Sequence, residues 1–312
     1  MEYPLNIYIT AHTLISSLGF GISENKKAIH DYRSGIRMQE AGRISDSPIL
    51  AGMIDSVELE KRAKEQLEKR AKELDYDYVV TGHYARIEEQ DGKFLLKKAI
   101  DEKKDQSYVL YSLTQEQLAH TLFPLGGMTK PQIREMAEEQ GLINARKHDS
   151  QDICFVPDGD YASFIEQYTG QSSEPGDFVD KEGNVLGKHK GQIHYTIGQR
   201  RGLGLPMGDR VYVCAKDMEK NTVTVGPVES LFAKRVIVRD MNWISVPELT
   251  GEMRVKAKLR YRQKEQPAVA SPLDGGRILL TFDEPQRGPA IGQAAVLYDG
   301  DTVVGGGTIC GV

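Results

Sequence analysis

Apolar residues recur at helical spacing between Val57 and Leu74. In VELEKRAKEQLEKRAKEL, Leu59, Ala63, Leu67, Ala71 and Leu74 fall on one stripe and charges fill the rest, which predicts an amphipathic helix. Its doubled KRAKE reads as a solvated face supported by charge pairs one helical turn apart. DYDYVVTGHYAR then predicts a strand through Val79 and Val80 that ends at Thr81-Gly82-His83. Open α/β sheets receive ligands at the carboxyl ends of their strands, and a glycine there lets a ligand approach the backbone. The competing reading is a turn with a satisfied histidine. Thr114 to Gln117 and Thr129 to Gln132 both have the T-x-x-Q spacing of a capping box, so a helix is expected after each threonine, the second ending at Gly141. Another helix is expected over Asp160 to Tyr168. Between these helices the polar NARKHDSQD gives way to the apolar ICFV, which puts Cys154 near the start of a strand.

From Met207 onward the period changes. VYVCA, TVTVG, RVIVRDMNWI, AAVLY and TVVGGGTI are short Val-rich runs separated by turn residues, the pattern of an antiparallel barrel or sandwich. In MRVKAKLRYRQKE, Arg254, Lys256, Lys258, Arg260, Arg262 and Lys264 alternate with Val255, Ala257, Leu259, Tyr261 and Gln263. As a strand, this segment would set all these cations on one face and pack the other on the core. Like charges along one face repel, so a polyanion is the expected partner, with an RNA backbone the leading candidate. A second basic stretch, GKHKGQIHYTIGQRRGLGLP, carries Lys188, Lys190, Arg200 and Arg201 beside His189 and His194, with no acidic residue between Gly183 and Gly208. Such a segment can follow phosphates, although a solvated loop has the same composition.

Composition narrows the class. A chain of 312 residues has room for two domains or three small ones. No apolar run approaches the roughly 18 residues of a membrane span, and the start, MEYPLNIYITAHTL, has no basic n-region before an apolar stretch, so a cytoplasmic protein without membrane association is expected. Cys154, Cys214 and Cys310 are too few and too scattered for a disulfide framework or a metal site, and no metal ligand set is expected. The net charge of −5 argues mildly against nonspecific nucleic-acid binding but averages over local basic patches. A free cysteine is ordinarily a small buried hydrophobe, which is the reading for Cys214 and Cys310 in their predicted barrel strands. Cys154 stands open between that role and a reactive sulfur at a strand edge.

Two resemblances add to this reading. Residues 1 to 40 are weakly similar to the opening of β-ketoacyl synthases, in the ITA strand, SSLG, EN and SGI; the match includes none of that family's catalytic residues. Residues 5 to 30 read independently as a short strand, a Gly/Ser turn and a helix begun near Ser23. Residues 75 to 312 resemble the tRNA-uridine 2-sulfurtransferases, the MnmA or TrmU family. The match runs through TGHYAR at 81 to 86, KDQSYVLY at 104 to 111, LFPLG at 122 to 126, DSQDICF at 149 to 155, GKHKGQIHYTIGQRRGLG at 187 to 204 and KLRYRQ at 258 to 263, in the family's order.

The resemblance implies a multidomain α/β plus β chain with these parts: a divergent segment at 1–56, a remnant of a PP-loop α/β domain at 57–157, a small central tRNA-binding domain at 158–206 and a C-terminal antiparallel β-barrel at 207–312. It implies ATP as co-substrate with magnesium as its counter-ion, tRNA as partner and a separate protein as persulfide donor. Carried over position by position, Cys154 matches the persulfide-bearing cysteine and Gly82 an ATP contact. His83, the Lys104-Asp105-Gln106 loop, Arg260, Tyr261 and Gln293 match tRNA contacts, and Lys188, Lys190, Arg200 and Arg201 are further candidates. One departure is plain: the family's SGGxDSS phosphate loop does not occur in this sequence, and residues 1–76 contain no cysteine to serve as the family's second thiol. The nucleotide domain is therefore expected to be incomplete. Two readings stay open: a thiolase that draws the missing parts from another chain, or a tRNA-binding remnant or fusion product without turnover.

Overall fold

The computed structural model describes residues 15–16, 19–20, 77–142, 145–146, 161–169, 172–206 and 210–312. The chain forms two compact units, residues 1–54 with 155–172, and residues 55–154 with 173–312. In the first, β1 (Ile15–Ser16) and β2 (Gly19–Phe20) form a short antiparallel pair. The same unit holds a helix at Tyr161–Thr169, close to its expected place, with Ala162 and Ile165 buried one turn apart. The helix expected over 57–74, the helix near Ser23 and the Cys154 segment lie outside the described residues.

The second unit opens with β3 (Val79–Val80), the predicted strand. It is followed by a hairpin of β4 (Ala85–Gln90) and β5 (Lys93–Lys98). Asp91 and Gly92 join those strands, both at positive φ (51° and 73°), the geometry of a two-residue turn that twists with its strands. Helix α1 (Gln115–Ala119) starts at a full capping box: Thr114 Oγ1 accepts from the Gln117 N–H at 3.2 Å, and Gln117 Oε1 accepts from the Thr114 N–H at 3.0 Å. β6 (Thr121–Leu122) runs parallel to β3. Helix α2 (Lys130–Glu139) starts at Thr129, whose N–H donates to Gln132 Oε1 at 2.8 Å, and Gly141 follows it at φ 66°.

Next come β7 (Gly176–Val179), β8 (Val185–His189), β9 (Tyr212–Asp217) and β10 (Thr222–Gly226), which form one sheet in the order β8-β7-β10-β9 around Phe178, Tyr195, Val213, Val223 and Val225. VYVCA thus pairs with TVTVG, and TVTVG with 176–179, in a sheet separate from the C-terminal barrel where the sequence placed both runs. His189 is part of this packing, with Nδ1 accepting from the Gly191 N–H at 3.0 Å and Nε2 facing the Asn221 carbonyl at 3.2 Å. Burial lowers its pKa.

The remaining strands are β11 (Phe232–Trp243), β12 (Met253–Lys258), β13 (Gln266–Leu273), β14 (Arg277–Arg287), β15 (Ala294–Asp299) and β16 (Thr302–Gly311). They pair antiparallel in the order β11-β14-β13-β12-β15-β16, and β16 returns to β11, closing a barrel with no free edge. The alternation along β15 explains its unbroken apolar run. Ala295 and Leu297 point into the barrel core, while Ala294, Val296 and Tyr298 point outward into a second core shared with the β4–β5 hairpin and residues 108–123. The hairpin joins the barrel sheet through β5 and β16. Among the described residues, no helix is long and apolar enough to cross a membrane.

Candidate nucleic-acid interface

The second core brings together segments distant in sequence. Residues 107–111 lie against the outer wall of the barrel, where Gly306 leaves room for the Tyr111 ring: a Cβ at that position would stand 2.5 Å from the ring Cδ2. Asn242 Nδ2 holds the same segment by donating to the carbonyls of Tyr111 at 2.6 Å and Leu113 at 2.9 Å. The Tyr108 hydroxyl donates to the Ala294 carbonyl at 2.9 Å, next to Gln293. This seats the 104–106 loop beside the 258–263 turn, where the Tyr261 hydroxyl donates to the Asp105 carbonyl at 3.4 Å and the Tyr108 and Tyr261 rings lie 6.0 Å apart.

Lys104, Asp105, Gln106, Tyr261 and Gln293 thus belong to one surface of the second unit. Their side chains do different things there. Asp105 turns inward: Oδ1 accepts from the N–H groups of Ala99 at 3.1 Å and Ser107 at 3.2 Å, and Oδ2 accepts from the Ser107 hydroxyl at 2.8 Å. Gln106 is tied to Tyr84 from both sides, accepting its N–H at 2.9 Å while the Gln106 N–H donates to the Tyr84 carbonyl at 2.8 Å. Lys104 is half-buried, Gln293 is exposed, and Tyr261 is 42% exposed. Burial raises the Tyr261 pKa, so its hydroxyl stays a neutral donor.

The expected basic strand is half realised. β12 stops at Lys258, and residues 259–263 form a turn fixed by Gln263, which accepts the Leu259 N–H on Oε1 at 3.1 Å and donates its own N–H to the Arg260 carbonyl at 3.1 Å. The six cations therefore do not share one face. Arg254 pairs with Asp283 through both guanidinium nitrogens, and Arg260 donates to the carbonyl of Gly288, a residue at φ 59° where a Cβ would meet that guanidinium at 2.9 Å. Lys258 is half-buried over the rings of Tyr108 and Tyr298, and burial lowers its pKa. Arg254, Lys256, Arg262 and Lys264 are exposed, and of these Arg254 is held by Asp283. Val255, Ala257 and Leu259 are buried in the barrel as expected.

Gly82 is exposed at the carboxyl end of β3, with ordinary φ and room for a Cβ, 3.6 Å from Leu125 Cδ1. The fold itself does not require a glycine there. His83 beside it holds its Nδ1 2.8 Å from Thr81 Oγ1 and meets the Phe123 ring edge-on. In the central sheet, Lys188 pairs with Asp177 at 2.7 Å and Lys190 is exposed. Arg200, Arg201 and Arg210 are exposed as well; Arg200 and Arg210 border a shallow concavity of about 360 Å³ with Leu203 and Leu205. Cys154 lies outside the described residues. Cys214 and Cys310, expected in barrel cores, are each only half-buried; Cys214 sits in the central sheet, where burial raises its pKa and its thiol donates to the Tyr212 carbonyl.

The sequence passed over Tyr108, Tyr111 and Tyr298, which carry the seating of the loop. Their signal was present in KDQSYVLY and AAVLY as aromatics inside apolar runs, but which aromatics meet is a non-local fact.

Comparison with known proteins gives consistent matches. Residues 60–158 match the family profile described as tRNA methyl transferase HUP domain, residues 162–227 the tRNA methyl transferase PRC-barrel domain, and residues 233–309 the aminomethyltransferase beta-barrel domain. The chain is 51% identical over 247 residues to the tRNA-specific 2-thiouridylase MnmA of Acetivibrio thermocellus, covering 78% of this chain and 69% of that protein. It is 52% identical over 247 residues to MnmA 1 of Thermoanaerobacter sp., with 78% and 68% covered. With MnmA of Clostridium perfringens it shares 49% over 245 residues, again 78% and 68%.

Proposed function

The chain belongs to the tRNA-specific 2-thiouridylase family, a family of sulfur-transferring, tRNA-modifying enzymes, and from that premise we propose that it thiolates the wobble uridine of tRNA at C2. The observation that carries this reading is the identity of about half the aligned residues to relatives named for that reaction. The convergence of the 104–106 loop, Tyr261 and Gln293 on one surface supports it, because a folded tRNA offers a surface of phosphates and unpaired bases, met by cations and by stacking rings. Lys104, Tyr261, Gln293 and His83 are assigned to tRNA. Asp105 and Gln106 act by shaping the loop, Arg260 by shaping the 288 turn, and Lys188, Lys190, Arg200 and Arg201 extend the basic surface. The working compartment is the cytoplasm.

The chemistry follows from leaving groups. The C2 oxygen of uridine cannot depart as such; adenylation by ATP releases pyrophosphate and turns that oxygen into part of an AMP leaving group. The terminal sulfur of a persulfide on Cys154 then attacks C2, AMP departs, and a thiol cleaves the remaining S–S bond to leave 2-thiouridine. That cleavage leaves Cys154 in a disulfide with the attacking thiol; a further thiol reduces it, and a donor protein then reloads the Cys154 thiolate with sulfur. Among the described residues, Gly82 is what the ATP assignment rests on, and its open backbone accommodates a close ligand.

The absence of SGGxDSS from the sequence favours a second reading, in which these residues bind tRNA without turning it over. Nucleoside mass spectrometry after incubation with unmodified tRNA, Mg-ATP and a persulfide donor separates the two. Sulfur-for-oxygen exchange that Cys154→Ser abolishes supports the thiolase. Tight tRNA binding without a thiolated product supports the second reading, and a methylated product would refute both.

A further inference from the structure

The proposed function leaves Lys258 unused. It ends β12, opposite Val296 of β15, and its side chain is half-buried. Its ammonium instead lies 5.7 Å from the centre of the Tyr108 ring and 5.9 Å from that of Tyr298. Tyr298 is fully buried and Tyr108 nearly so, and the buried Ser107, next to Tyr108 in sequence, has its hydroxyl 3.4 Å from the Tyr298 hydroxyl. Lys98 approaches the Tyr298 ring as well, at 4.8 Å, and pairs with Glu265 at 2.6 Å. Two ammonium groups and the carboxylates of Asp105 and Glu265 therefore share a half-buried patch where the 104–108 loop meets the barrel. A lysine evolved only to meet phosphate would keep its ammonium hydrated and free to move. This one has given up part of its water for aromatic faces, and that burial lowers its pKa although the Asp105 and Glu265 carboxylates act against it.

We propose that Lys258 is a positioning residue: its ammonium clamps the 104–108 loop onto the barrel in the conformation that meets tRNA, and does not itself meet phosphate. The inference rests on the tRNA reading above, but the clamp can be read without RNA. Three further ties hold the same loop, from Tyr261 to the Asp105 carbonyl, from Tyr108 to the Ala294 carbonyl and between Ser107 and Tyr298, so removal of the charge loosens the loop without unfolding the barrel.

The test uses Lys258→Met, which keeps the apolar stem and removes the charge, with Lys258→Arg as the conservative variant, in the full chain. Hydrogen exchange is followed at the amides of Ser107 and Val109, which donate to Asp105 Oδ1 and the Gln106 carbonyl. Affinity for unmodified tRNA is measured over a salt series. The clamp predicts exchange about fivefold faster at both amides and tRNA affinity about fivefold weaker at every salt concentration, with the slope of log K against log salt unchanged and partial recovery in Lys258→Arg. Unchanged exchange at Ser107 and Val109 would overturn the clamp. A slope shallower by about one would also overturn it, since that marks a lost phosphate contact. If the unaltered chain does not bind tRNA, it is the functional reading that fails, and the exchange rates still decide the clamp.

Discussion

Replacing Gly306 with alanine tests how the candidate interface is built. The added Cβ would stand 2.5 Å from Tyr111 Cδ2, 2.8 Å from Cγ and 3.0 Å from the Ala295 carbonyl oxygen. Carbon atoms in contact prefer about 3.5–4.0 Å, so the ring must retreat by about 1 Å. It has nowhere easy to go, because Tyr111 is buried and its carbonyl is held by Asn242. Overpacking of this kind costs about 1–3 kcal/mol, and at about 2–4 °C per kcal/mol the melting temperature should fall by roughly 6 °C. A double-mutant cycle with Tyr111→Leu isolates the cause. If the clash is with the ring, Gly306→Ala costs at least about 1 kcal/mol less in the Tyr111→Leu background, with a residue from the Ala295 carbonyl. Additive effects, or a Gly306→Ala protein within about 0.5 kcal/mol of the unaltered chain, would refute the argument that this glycine exists to seat the 104–111 segment.

Other expectations follow from single contacts. Asp105→Ala removes three hydrogen bonds to the loop and should cost about 2–3 kcal/mol in urea unfolding, with tRNA affinity lost alongside; an unchanged midpoint would deny Asp105 its loop-ordering role. Joint replacement of the exposed Lys256, Arg262 and Lys264 by Ala should flatten the salt dependence of tRNA binding, while Arg254→Ala, which removes a cation already paired with Asp283, should alter it less; equal slopes in all proteins would place RNA elsewhere. His189 has a lowered folded-state pKa, so the unfolded chain takes up its proton first as pH falls. Its stabilising effect is complete above the unfolded value near 6.5 and declines below it, with a slope of at most about 1.4 kcal/mol per pH unit. Carboxylates with lowered pKa, such as Asp283 and Asp301, lose their contribution only in more acid solution, so a loss of stability between pH 6.5 and 5 that His189→Gln flattens is the expected pattern.

The local rules were legible where the residues concerned were local. Both T-x-x-Q boxes cap helices, and the alternation in 254–259 sets Val255, Ala257 and Leu259 inward. The end of that strand was not legible, because it depends on a turn closed by Gln263, a residue that reads equally well as the next strand position. The β4–β5 hairpin could have been found from Asp91-Gly92 between two alternating runs. β13 was hidden by Pro267 and Pro272, which argue against a strand with partners on both sides. The larger gap is non-local. That TVTVG pairs with 176–179, that Tyr111 packs on Gly306, and that Arg254 and Arg260 are taken up by Asp283 and the Gly288 carbonyl are facts of pairing across tens to hundreds of residues.

The central claim, sulfur transfer from Cys154 to tRNA, is tested most directly in a single turnover. The purified chain is loaded with heavy-isotope sulfur as a persulfide, freed of excess donor, mixed with unmodified tRNA and Mg-ATP, and quenched with excess small-molecule thiol to cleave the S–S link to Cys154; the nucleosides are then read by mass spectrometry. Transfer from Cys154 predicts heavy 2-thiouridine in an amount that tracks the Cys154 persulfide, undiminished in a Cys214→Ser/Cys310→Ser protein and absent in Cys154→Ser. Heavy sulfur that stays on Cys154 while tRNA is bound, or label that reaches tRNA equally well in Cys154→Ser, would contradict it.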